Sequence, residues 1–90
     1  MGFKISDDVV FRVLDREAVI LSLSSGVYFG LDKVGTRIWQ LIAEGQSTDR
    51  TIETLLEEYD AREEDVRWDF EALTRQLMNK GLVQSTPTND

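Results

Sequence analysis

Ninety residues carrying 17 acidic and 10 basic side chains, with no histidine and no cysteine, make one small domain and remove the commonest tools of catalysis. There is no thiol nucleophile, imidazole base, disulfide or Cys/His zinc site. A net charge of −7 has the wrong sign for sequence-independent binding to phosphate backbones.

The chain begins MGFKISDDVVF, which lacks the apolar core of a signal peptide. No run approaches the ~18 apolar residues of a membrane span. We expect a cytoplasmic protein with no membrane partner. Met1-Gly2 followed by Ser6 fits the N-myristoylation pattern, but no polybasic patch accompanies it. We read that match as chance.

Three strands come first. Val9–Leu14 (VVFRVL), Ala18–Leu23 (AVILSL) and Val27–Leu31 (VYFGL) are rich in β-branched, aromatic and Leu residues. Asp15-Arg16-Glu17 makes the first connection, and Ser24-Ser25-Gly26 the second, with Gly26 free to take a positive φ. Alternation places Phe11, Val13, Val19, Leu21, Leu23, Val27, Phe29 and Leu31 on one apolar face of an antiparallel meander.

The period then changes from 2 to 3.6. Asp32 is suited to cap a helix that carries Val34, Ile38, Leu41 and Ile42 and stops at Gly45. Gly35 within it implies a close backbone approach. A second helix opens at Ser47 or Thr48, with Ile52, Leu55, Leu56 and Tyr59 as its apolar stripe. The acidic stretch Asp60–Asp65 leads into a third helix that buries Val66, Phe70, Leu73 and Leu77 and ends at Gly81. Leu82 and Val83 pack back, and residues 85–90 form a flexible tail after a domain spanning 1–84. Trp39 and Tyr59 belong to the core. The fold class is α+β and winged-helix-like: a three-stranded antiparallel sheet followed by three helices.

The helical half does not suit DNA. From Gln46 to Gly81 ten acids face five bases, so a recognition helix here would repel phosphate. Glu57-Glu58 and Glu63-Glu64-Asp65 read as solvated charge rather than an acid/base pair or metal site. No glycine-rich phosphate cradle opens a helix. We assign no catalytic residue, no metal and no cofactor.

Two features point to a peptide partner. In a meander the third strand, Val27, Tyr28, Phe29, Gly30 and Leu31, lies at an edge, where an extended peptide can take its free N–H and C=O groups. On the third helix Trp68 faces away from the core, with Ala72 near it and Asp69 and Gln76 on the flank.

The run SSGVYFGLDKVGTRIWQLIAEG, the acidic helix pair after it and the closing KGLV resemble the PqqD-like family, the standalone precursor-recognition element of ribosomal peptide pathways. The resemblance covers about Val9 to Val83 and is most specific from Ser25 to Gly45. It implies that the leader of a precursor peptide adds beside Val27–Leu31, in a groove bounded by the helix from Val66 to Gln76. The implied peptide-binding residues are Val27, Tyr28, Phe29, Gly30, Leu31, Trp68, Asp69, Ala72, Leu73 and Gln76. The stretch LDKVGTRIW is more like the leader-binding proteins of lasso-peptide biosynthesis. There the partners are the precursor leader peptide, a separate leader-processing cysteine protease and a cyclase. The alternatives are a peptide chaperone for a radical-SAM enzyme, as in pyrroloquinoline quinone assembly, and a homo-oligomerising module using the same edge.

Overall fold

The structure, a computed structural model, describes residues 2–87. Its elements run β1 (Gly2–Ile5), β2 (Val9–Leu14), β3 (Glu17–Ser22), β4 (Tyr28–Gly30), α1 (Lys33–Ala43), α2 (Thr48–Glu58), α3 (Glu63–Asn79) and β5 (Val83–Thr86). The α+β class holds, with the antiparallel sheet β2-β3-β4 ahead of three helices.

Two strands are additional to those expected. β1 pairs antiparallel with β5, from Gly2 opposite Thr86 to Ile5 opposite Val83. Ser85 and Thr86, assigned to the tail, are therefore ladder residues. Their backbone groups find partners in the N-terminal strand, and Ser6 N–H donates to the Leu82 carbonyl at 3.0 Å. Of the rest of the expected tail, Pro87 follows the strand and residues 88–90 lie outside the described residues.

The sheet also turns Val19, Leu21 and Leu23 the other way from the expected face. Asp15 and Arg16 both have positive φ (53° and 66°), as the primed two-residue hairpin turn requires. Leu14 therefore pairs with Glu17, and Phe11 with Ile20. A three-residue connection would have shifted that register by one and exchanged the faces. Ala18, Ile20 and Ser22 are buried, whereas Val19, Leu23 and Val27 are exposed. Phe11, Val13, Phe29 and Leu31 keep the side expected of them. Phe11 sets its ring edge-on to buried Trp39, with centroids 5.4 Å apart.

The helices close over this inner face with the expected caps. Asp32 accepts from Gly35 N–H at 2.8 Å, and Ser47 from Arg50 N–H at 3.2 Å. Each satisfies a donor that the first helical turn leaves free. The carboxylate explains Gly35: a Cβ there would stand 3.2 Å from Asp32 Oδ1 and 3.4 Å from Leu31 Cδ2. Thr36 ties α1 to the sheet, its buried Oγ1 accepting from Ala18 N–H at 2.7 Å. Ile38, Trp39, Leu41, Ile42, Ile52, Leu55, Val66, Phe70 and Leu77 form the core with Ile20, Leu82 and Val83. Tyr59 is not a core residue. It follows the last turn of α2 in extended backbone, with its side chain partly exposed.

Arg37 of α1 grips Glu58 of α2 through three hydrogen bonds, Nε–Oε1 at 2.9 Å, Nε–Oε2 at 3.2 Å and NH2–Oε2 at 2.7 Å. The Arg37 hydrogen bond holds the Glu58 carboxyl below its ordinary pKa, the dominant cause ahead of opposing desolvation. A carboxyl with a lowered folded pKa stabilises above its unfolded pKa and loses that contribution as pH falls through the folded value. Glu58→Gln should cost less than about 1 kcal/mol near neutrality, because the pair is partly exposed. The difference from wild type should shrink on acidification, as urea unfolding at several pH values will show. A second unfolding comparison checks the register. Ile20→Ala should cost about 2–4 kcal/mol and Val19→Ala under about 1 kcal/mol; the reverse order would contradict it.

Candidate functional site

β4 is hydrogen-bonded on one side only. Ser22 N–H donates to Val27 O at 3.0 Å and Leu31 N–H to Ala18 O at 2.9 Å, while Ile20 stands opposite Phe29. The alternation of an antiparallel ladder therefore turns the N–H and C=O groups of Val27, Phe29 and Leu31 toward β3. Those of Tyr28 and Gly30 point to the open edge, where β4 has no further strand among the described residues. Around Gly30 a Cβ would meet nothing within 4 Å, so another backbone can approach closely.

The edge overlooks a groove. Phe29, Leu31, Ile38 and Leu73 give an open cavity of about 350 Å³ its apolar lining, with Asp32, Asp69 and Gln76 as polar liners. Val34, Ile38 and Asp69 are shared with a second cavity of about 270 Å³. That cavity continues to Leu55, Tyr59, Asp60, Ala61 and Val66 at the α2–α3 connection. Nearer the other end, Lys80 Nζ stands 5.5 Å from the Phe29 ring centroid, a cation–π contact.

Of the ten residues assigned from sequence, Phe29, Gly30, Leu31, Asp69, Leu73 and Gln76 line this one cavity. Tyr28 is 69% exposed and alternates to the outer face of the sheet. Val27 precedes β4 and is exposed. Ala72 is half-buried and Trp68 is 74% exposed; neither lines the cavity, and helical spacing puts both on the flank of α3 beside Asp69. Asp32, Val34, Gly35 and Ile38 line the groove without having been singled out. The signal was present: an N-cap directly after the edge strand forces α1 to start at the groove, and Val34 and Ile38 are one turn apart.

An unpaired strand edge above an apolar trough with few polar groups is suited to an extended peptide. Backbone hydrogen bonds would hold the chain and the trough would take alternate side chains. Among the described residues no group of His, Cys, Asp and Glu gathers to hold a metal ion. No helix there is long and apolar enough to cross a membrane.

The family described as coenzyme PQQ synthesis protein D (PqqD) matches residues 17–83, well over half of the chain. The chain belongs to the PqqD family. No curated protein sequence matches it significantly. Among solved structures, TbiB1 in complex with the TbiA(beta) leader peptide is 40% identical, with a TM-score of 0.88 over 94% of this chain and 99% of that one. A lasso peptide synthetase B1 complexed with the leader peptide is 25% identical, with a TM-score of 0.85 over 94% of this chain and 100% of that one. The PqqD-family match begins at Glu17 and ends at Val83, so it takes in β4, α1 and α3, the three elements that build the groove.

The two tryptophans separate core from surface. Trp39→Ala should cost about 3–5 kcal/mol, while Trp68→Ala should leave stability within about 0.5 kcal/mol of wild type. Denaturant unfolding reads both, and a large loss at Trp68 would return it to the core.

Proposed function

We propose that this chain is a non-catalytic binding protein for the leader segment of a ribosomally made precursor peptide in lasso-peptide biosynthesis. The leader adds as a further strand to β4, and the chain presents it to a separate leader-processing cysteine protease. A cyclase acts downstream, and the work takes place in the cytoplasm, where such precursors are made. The observation that carries this reading is the β4 edge, with Tyr28 and Gly30 turned outward above an apolar groove. The leader complexes of the two similar structures support it.

Presentation has its own support. Val10, Leu14, Val19 and Tyr28 are exposed, and strand alternation puts all four on the outer face of the sheet. An uncovered apolar sheet face is a usual mark of a protein contact. A leader strand beside β4 would extend that face with its own outward side chains, so a protease docking there reads the chain and its cargo together. That composite surface also accounts for a binding protein with no chemistry of its own.

Titration calorimetry with the synthetic TbiA(beta) leader peptide tests the binding step. Saturable binding is expected, and its absence would overturn the reading. Gly30→Pro deletes the outward N–H and should weaken binding about tenfold. Gly30→Ala keeps the donor in open space and should stay within about twofold; equal losses would exclude strand addition. Val19→Glu should leave leader affinity intact and reduce co-purification with the protease. Loss of leader binding instead would contradict the assignment of that face.

A further inference from the structure

The groove carries opposite charges toward its two ends. Every charged side chain lining its two joined cavities is an aspartate: Asp32, Asp60 and Asp69. Asp32 spends one oxygen on the Gly35 N–H. Asp69 and Asp60 make no ion pair among the described residues. The cations of α1 do not reach this side, since Lys33 and Arg37 line a separate cavity beside the Asp15–Arg16 turn. Nearer the other end stands Lys80, over the Phe29 ring and likewise free of any carboxylate.

The direction of the elements gives this dipole a meaning. α3 passes from Asp69, which shares a cavity with Val34 and Ile38 of α1, to Lys80 beside Phe29. It therefore runs against β4, whose C-terminal end leads into Asp32. Both pairings of the sheet are antiparallel, and an antiparallel addition is the more stable continuation. A peptide so added has its N-terminal side at Asp32 and Asp69 and its C-terminal side toward Lys80.

We propose that the groove selects leaders by charge order as well as by shape: a Lys or Arg just N-terminal to the strand-forming segment, and an Asp or Glu just C-terminal to it. This rests on the groove being the leader site. The opposed charges fix the direction of the peptide, because a reversed peptide would set like charges against each other at both ends. A Lys or Arg side chain suits the aspartate end in particular. Its alkyl stem can lie on Val34 and Ile38 while its head reaches Asp69.

Selection from a random-sequence peptide library displayed on mRNA tests the proposal without a known ligand. Against wild-type protein, the bound pool should show Lys/Arg before the apolar segment and Asp/Glu after it. Against Asp69→Lys the first enrichment should vanish or invert, and against Lys80→Glu the second should do the same. Both residues are on the surface, and circular dichroism confirms that each variant is folded. For a single selected peptide, Asp69→Lys should lower affinity about tenfold at low salt, and less at high salt as screening shortens the reach of the charges. A charge-blind apolar pool, enrichments that ignore both reversals, or the opposite charge order would each overturn the proposal while leaving leader binding in place. A library yielding no binders that Gly30→Pro weakens would overturn leader binding itself, and the charge order with it.

Discussion

The left-handed pair Asp15–Arg16 sets the register on which the peptide edge depends. Holding two non-glycine residues at φ of 53° and 66° is unfavourable in isolation, more so for Arg16 than for Asp15. The turn repays that strain by matching the twist of the strands it joins. With Leu14 opposite Glu17, Ile20 faces inward against the helices and lies opposite Phe29. That pairing decides that Phe29 and Leu31 point into the groove and that Tyr28 and Gly30 offer their backbone to the edge. A one-residue slip between β3 and β4 would exchange the two sets, placing Tyr28 in the trough and turning its N–H and C=O toward β3.

α1 converts the edge into a site. It begins at Asp32, immediately after the strand, because that side chain closes the first turn and Gly35 leaves room for it. Thr36 then locks the helix to β3 through the Ala18 N–H, an interaction whose loss would leave a buried donor unpaired. Further along, Ile38 serves the groove while Trp39, one residue on, is wholly buried against Phe11. One helix thus supports the core and the groove, so the trough is held rigid by packing rather than by loops.

Much of this was legible in the sequence. The change of period at Asp32, the caps at Asp32 and Ser47, the glycines at 26, 45 and 81 and the outward Trp68 all act locally, and local signals survive without tertiary knowledge. What was not legible depended on distant partners. GFKI and VQST are too short and too polar to announce strands, and they become β1 and β5 only by meeting across the length of the chain. The wrong sheet face has a different cause. Val10, Val19, Leu21 and Tyr28 alternate with Phe11, Ala18, Ile20 and Phe29, so both faces read as apolar and periodicity alone does not choose between them. That ambiguity has a physical source: the outer face carries Val10, Leu14, Val19 and Tyr28 beside only two charged strand residues, Arg12 and Glu17. Of the groove, the strand and helix walls were legible. Its closure by Val34 and Ile38, and its continuation to Tyr59 and Asp60, required the fold.

The central claim is that a leader peptide becomes the next strand beside β4. Residue-resolved amide hydrogen exchange, with and without the TbiA(beta) leader peptide, tests it most directly. Phe29 and Leu31 N–H already bond to β3, so their exchange should change little. Tyr28 and Gly30 N–H should go from fast exchange to strong protection on binding. Saturable binding that leaves Tyr28 and Gly30 exchanging as fast as in the free protein would contradict the account.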